Sequence, residues 1–200
     1  MNKRRYEGEQ TKINIAQQAR TLFSKKGYAA TSIQDICQAA ECSKGNLYYH
    51  FKSKEDLFIY LEEQTFLDWW EQLERETAHC KTFTEKLYIY GNFAAGNERP
   101  LYSAEREFIN IVGENSEAAQ RFKVVAAGSF AKTQKFVAEG IAQGELKKEE
   151  LFELTLIISS FFSALNYYSL YFMDNEVSKA LFYKATTLLL KGIGEEIRRE

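Results

Sequence analysis

The sequence predicts an all-α protein. A single proline and eleven glycines in 200 residues leave few breaks. Apolar residues recur at helical spacing in one stretch after another, with cap-type residues opening those stretches and glycines closing several of them. Hydrophobic residues make up 45% of the chain, enough for a sizeable core. The pattern divides into about nine helices. Three form an N-terminal head over 1–53, and a long fourth helix joins that head to a helical body over 54–200.

The first helix runs from about Glu9 to Lys26, with Ile15, Ala19, Leu22 and Phe23 on its inner stripe and Gly27 as its stop. Thr31 or Ser32 caps the second helix, with Gln34 and Asp35 following in the capping-box pattern. Ile33, Ile36, Cys37 and Ala40 share one face, and Glu41 and Cys42 turn the chain. Ser43 caps a third helix that begins Lys44-Gly45-Asn46. Two short helices joined by a tight turn make a helix-turn-helix, whose second helix reaches bases and phosphates through its N-terminal end. A lysine at 44 suits a phosphate, and Gly45 lets backbone approach DNA with no side chain in between. Tyr48, Tyr49 and His50 add hydrogen-bonding tips, while Phe51 is expected to pack inward. The candidate DNA-binding set is therefore Thr31, Ser32, Ser43, Lys44, Gly45, Asn46, Tyr48, Tyr49, His50 and Lys54. Lys54 enters because it sits in the first turn of the fourth helix, against the helix dipole, a placement that a facing phosphate would explain.

Ser53 caps that fourth helix, Lys54 to about Ala78, with Asp56 in the capping-box position. A fifth helix spans about Thr84 to Ala95, a sixth Leu101 to Val112, and a seventh opens at Ser116 and closes at Gly144. Leu154 to Met173 carries no charge over twenty residues, long enough to cross a membrane. Six of the twenty are Thr, Ser or Asn, and no basic flank marks an orientation, so a helix buried all round in protein is the reading. The last helix, Val177 to Ile197, carries Leu181, Ala185, Leu188, Leu189 and Ile193 on one stripe. The last two helices together suit a homodimer interface built as a four-helix bundle.

The net charge of −2 hides a division. Residues 1–54 hold ten Lys/Arg and four Asp/Glu, a net of +6, and the rest carry −8. A basic head on an acidic body is the electrostatic footprint of a small DNA-reading module. Three cysteines and two histidines lack zinc-site or redox-pair spacing, so no metal is expected. No phosphate loop, dinucleotide fingerprint or nucleophile elbow occurs, and neither catalysis nor a cofactor is expected. The paired acids Glu62-Glu63 and Glu149-Glu150 read as solvated faces. The start MNKRRYEGEQ has no apolar run behind its basic residues, so no signal peptide is read and a cytoplasmic location is expected.

Gly27-Tyr28 with Thr31-Ser32, then SKGNLYYHFKSKEDLF from Ser43 to Phe58, closely resembles the TetR family of bacterial one-component repressors, its multidrug-responsive members most of all. The specific match covers roughly Ala16 to Leu61, and beyond it rests on helix pattern, Trp69, Glu107-Phe108 and Gly144-Glu145. The resemblance implies a homodimer on a palindromic double-stranded DNA operator, released by a small lipophilic or aromatic effector, with control of efflux as one use. It implies a cavity in the body with rings for stacking and carboxylates for a cation. The wall candidates are Phe66, Trp69, Phe93, Tyr102, Phe108, Phe130, Phe162, Asn166 and Tyr167, and the counter-charges Glu98, Glu105 and Glu107. Two pocket acids of those relatives fall on Thr65 and Phe66 here, and Arg99 stands beside Pro100, a cation that weakens the case for a cationic ligand and either pairs with Glu98 or favours an acidic or neutral effector. A dimeric regulator with no effector is the alternative.

Overall fold

The structure, a computed structural model, describes residues 3–96 and 101–193. The described residues form nine helices and no strand: α1 Lys3–Lys26, α2 Ile33–Ala39, α3 Lys44–His50, α4 Lys54–Thr77, α5 Phe83–Gly96, α6 Tyr102–Val112, α7 Glu117–Ala142, α8 Leu151–Phe172 and α9 Asn175–Ile193. The expected helices are all present. α1 and α8 begin earlier than the periodicity indicated, because Glu9 and Leu154 are the first strong pattern residues and not the first helical ones. Glu98 and Arg99 lie outside the described residues, as do the last residues expected of the ninth helix.

The chain divides into two compact units, Met1–Phe66 with Arg99–Ala127 and Leu67–Glu98 with Gly128–Glu200. The first unit draws on later helices as well as the N-terminal three to close its core. Ile15, Ala19 and Phe23 of α1, Ile36 of α2 and Leu47 of α3 are buried together with Leu57 and Phe58 of α4 and Phe108 of α6. At its centre Phe58 meets Phe23, Tyr28 and Phe108 at ring distances of 5.3, 5.1 and 4.8 Å. Edge-to-face and offset ring pairs of this kind add to the energy of burial itself.

Caps set the helix starts. Ser53 Oγ accepts from the Asp56 amide at 3.1 Å, and Asp56 Oδ2 accepts from the Lys52 amide at 3.0 Å. Burial pushes the Asp56 carboxyl up, but the Arg121 guanidinium, at 2.5 Å, and the Lys52 amide outweigh it and hold the group below its ordinary value.

In the second unit α5 and α9 pack most closely. Gly91 permits it: a Cβ there would sit 2.5 Å from Thr186 Oγ1 and 3.0 Å from the Phe162 ring. Glu145 caps α5, accepting from the Phe83 and Thr84 amides at 2.7 and 2.9 Å. Tyr90 is stacked on Phe136 at 5.2 Å, and burial, against a hydrogen bond with Thr133, pushes its hydroxyl up to about 12.

Candidate nucleic-acid interface

The reading unit is assembled by side chains pulling inward. Ser32 is the α2 cap and makes the full capping box with Asp35. Asn14 Nδ2 donates to the Ala40 carbonyl at 3.0 Å, tying the end of α2 to α1. Glu41 turns the chain in the left-handed region, at φ 52°. Ser43 then caps α3, accepting from the Asn46 amide at 3.1 Å. Leu47 and Phe51 are buried and anchor α3 in the core. Phe51 was the expected anchor. Leu47 was missed, although it lies four residues after Ser43 and four before Phe51, the spacing of an inner face.

With those two residues inward, the rest of α3 faces out. Ser43, Lys44, Gly45 and Asn46 are exposed, as is Ser32. Tyr49 is 83% exposed and Tyr48 50%. His50 is half-buried beside the Tyr49 ring, 5.0 Å away, and burial followed by the charge of Lys12 pushes its pKa down, against Glu9. A donor-rich surface therefore stands around one exposed glycine. A Cβ on Gly45 would meet only Ser43 Oγ, at 3.8 Å.

Two expected members of the set sit elsewhere. Thr31 is 1% exposed, and its hydroxyl donates to the Gly27 carbonyl at 2.8 Å, so it is spent on the turn after α1. Lys54 Nζ donates to the carbonyls of Tyr28 and Thr31 at 2.9 and 3.0 Å and lies 4.1 Å from the Tyr28 ring centre. Those carbonyls give a lysine against the dipole of α4 its partners in the free chain. Burial pushes the Lys54 pKa down, against the charges of Glu55 and Glu107. Lys44→Ala is therefore expected to lower the slope of log affinity against log salt by about 0.9, one phosphate contact. Lys54→Ala should leave that slope unchanged and lower the stability of the head by about 1–2 kcal/mol. Salt titrations and urea unfolding of both variants check the pair.

The expected effector residues divide between the units. In the first, Glu107 Oε2 accepts from the Ala29 amide at 2.8 Å, and its carboxylate fills the space where a Gly27 side chain would stand. In the structure it braces the turn after α1. Phe108 is fully buried against Phe58 and Tyr28, a core ring. Phe66 is half-buried, and Glu105 is half-buried on α6. Tyr102 begins α6, and Glu98 lies outside the described residues. Glu62, read as part of a solvated face, is 2% exposed, while Glu63 is exposed.

In the second unit Trp69 meets Trp70, Tyr90 and Phe93 at ring distances of 5.0, 5.3 and 6.0 Å. Asn166 Nδ2 donates at 2.5 Å to the carbonyl of Ala94, next to Phe93. Trp69 and Phe93 thus meet directly, and Asn166 ties α8 to the end of α5. Phe162 is a buried core ring against Tyr90 and Phe182. Phe130 packs on Phe152, and Tyr167 on Tyr168. The Trp69 Nε1 donor is buried and finds no acceptor among the described residues.

Comparison with known proteins covers both units. The family model for bacterial regulatory proteins, tetR family, matches residues 15–61, and that for the QacR-like protein C-terminal region matches residues 65–195. The HTH-type transcriptional regulator QacR of Staphylococcus aureus is 45% identical over 92 residues, 45% of this chain and 49% of that protein. The match thus spans about half the length of that relative. The solved FadR of Bacillus halodurans superposes with a TM-score of 0.73 at 18% identity, covering 95% of this chain and 97% of that one. FadR of Bacillus subtilis, solved in complex with stearoyl-CoA, gives 0.73 at 22% identity, covering 90% and 98%. At such identities the two structures speak for the fold.

Proposed function

The chain belongs to the TetR family and is a DNA-binding transcriptional regulator, and on that premise we propose a homodimeric repressor that leaves a palindromic operator when a small aromatic or lipophilic molecule enters its C-terminal unit. The observation that carries the reading is the outward face of α3, Ser43 to Asn46 with Tyr48 and Tyr49, held in place by Leu47 and Phe51. Two such helices occupy successive major grooves, with half-sites about 34–36 Å apart or a multiple of that.

Dimerisation through α8 and α9 is supported by large apolar side chains left exposed there: Phe152, Leu156 and Ile157 on α8, and Val177, Tyr183 and Leu188 on α9. Apolar patches of this extent mark interaction sites. The purified protein should sediment at about twice its 23.2 kDa chain mass. A clean monomer at micromolar concentration removes both the interface and the palindrome.

An effector site at Trp69 is supported by the orphan indole N–H amid rings, which suits an aromatic molecule carrying a hydrogen-bond acceptor. Buried donors are nearly always satisfied, so an unfilled one calls for a partner. α4 contributes residues to both units, and an effector that favours one placement of this helix shifts the population of DNA-competent dimers. DNA must then weaken effector binding by the same factor. The chain has two tryptophans, Trp69 and Trp70, so fluorescence reports this helix directly. A screen of dyes, aromatic acids and acyl compounds should find one that quenches it and releases DNA over one concentration range. Trp69→Ala should weaken that compound and spare DNA affinity in its absence. A screen in which nothing quenches or releases favours the effector-free regulator.

A further inference from the structure

The turn of the helix-turn-helix holds two thiols. Cys37 ends the inner face of α2, and the Cys42 amide donates to the Cys37 carbonyl at 3.0 Å. That closed turn, with Glu41 left-handed inside it, sets the two side chains on one side of the chain, and Cys42 packs against the core cluster that holds Cys37. Both line one open hollow of about 550 Å³, together with Gln34, Gln38, Glu41 and Lys44. Cys37 is buried and Cys42 half-buried, so the pair has one sulfur that solvent reaches and one behind it. The next residue after Cys42 is Ser43, the cap of α3.

We propose that Cys37 and Cys42 are a redox modification site: a hydroperoxide joins them in a reversible disulfide, and the bond displaces α3 from its DNA-reading position. The exposed sulfur reacts first. The Cys42 thiolate attacks the peroxide O–O bond and takes one oxygen, giving a sulfenic acid and releasing an alcohol, or water from hydrogen peroxide. The Cys37 sulfur then attacks the Cys42 sulfur and expels water. Two thiols and one hydroperoxide become one disulfide, one alcohol and one water, the ordinary course for a sensor cysteine with a resolving partner. Burial, then the Cys37 thiol, push the Cys42 thiol up from its ordinary value, which sets a high threshold for the first step. Bonding draws the sulfurs to about 2.0 Å. Cys42 moves toward α2, the left-handed turn at Glu41 must adjust, and the Ser43 cap goes with it. Cys80 lies in the other unit.

The inference rests on α3 being the DNA-reading helix. The test uses the full chain and a duplex selected from random-sequence DNA with the reduced protein. After hydrogen peroxide, intact mass should fall by two hydrogens, peptide mapping should show a Cys37–Cys42 link, and affinity should drop about tenfold, the scale of a lost cap and a phosphate contact. Dithiothreitol should restore both. Cys80→Ala should respond like the unmodified chain, and Cys42→Ala should bind equally with and without peroxide. A link that leaves affinity unchanged, no link at all, or full sensitivity in Cys42→Ala overturns the inference while the reduced protein still binds its duplex. A reduced protein that selects no duplex overturns the DNA reading, and the inference with it.

Discussion

Gly45→Leu is expected to abolish specific DNA binding and leave the protein folded. In the free protein a Cβ at this position meets only Ser43 Oγ at 3.8 Å, and the side chain beyond it points into solvent. Leucine is the better helix former by nearly 1 kcal/mol, so the thermal midpoint should hold or rise. The same position is flanked by exposed Lys44 and Asn46, and in the proposed reading it is where backbone approaches the duplex. Four added carbons there keep every neighbouring contact apart. Affinity should fall to the non-specific level, about a thousandfold or more. Fluorescence anisotropy on a selected duplex, beside a melting curve, reads both halves. Retained affinity would place Gly45 outside the interface.

Phe58→Ala should cost the first unit about 3–5 kcal/mol, the usual loss for a buried phenylalanine. The ring is fully buried and touches aromatic partners from α1, the turn after it and α6. Set against a domain stability of about 5–15 kcal/mol, such a loss takes most of the margin. Urea unfolding followed by circular dichroism should show an earlier midpoint, and DNA binding should fade with it. Phe58→Leu fills part of the cavity and should retain well over half the stability. A loss under about 1 kcal/mol for the alanine variant would mean that the unit repacks and that its core is not organised around this ring.

What the sequence made legible was local. Caps at Ser32, Ser43 and Ser53 depend on residues three positions away, and each was readable as a short pattern. The exposed donors of α3 followed from the same periodicity. What the sequence left unread is mostly what lies across from a side chain. The carbonyls that Lys54 binds come from residues 28 and 31. Nothing near Glu107 and Phe108 in the sequence names Ala29 or Phe58 as their partners. Glu62 follows the same rule: an acid among polar neighbours in sequence is buried in three dimensions. Burial is a property of long-range packing, and one chain without its contacts does not carry it.

The short turn between α1 and α2 carries a last consequence. Gly27 stands there at φ 82°, and the surrounding polar groups are bound by Lys54 from α4 and Glu107 from α6. The turn is therefore completed by residues that leave the ribosome well after it does. During synthesis the three N-terminal helices can form early, but the turn between the first two waits for a carboxylate 78 positions downstream of Ala29. A nascent chain halted before α6 therefore carries those helices with this turn unbraced.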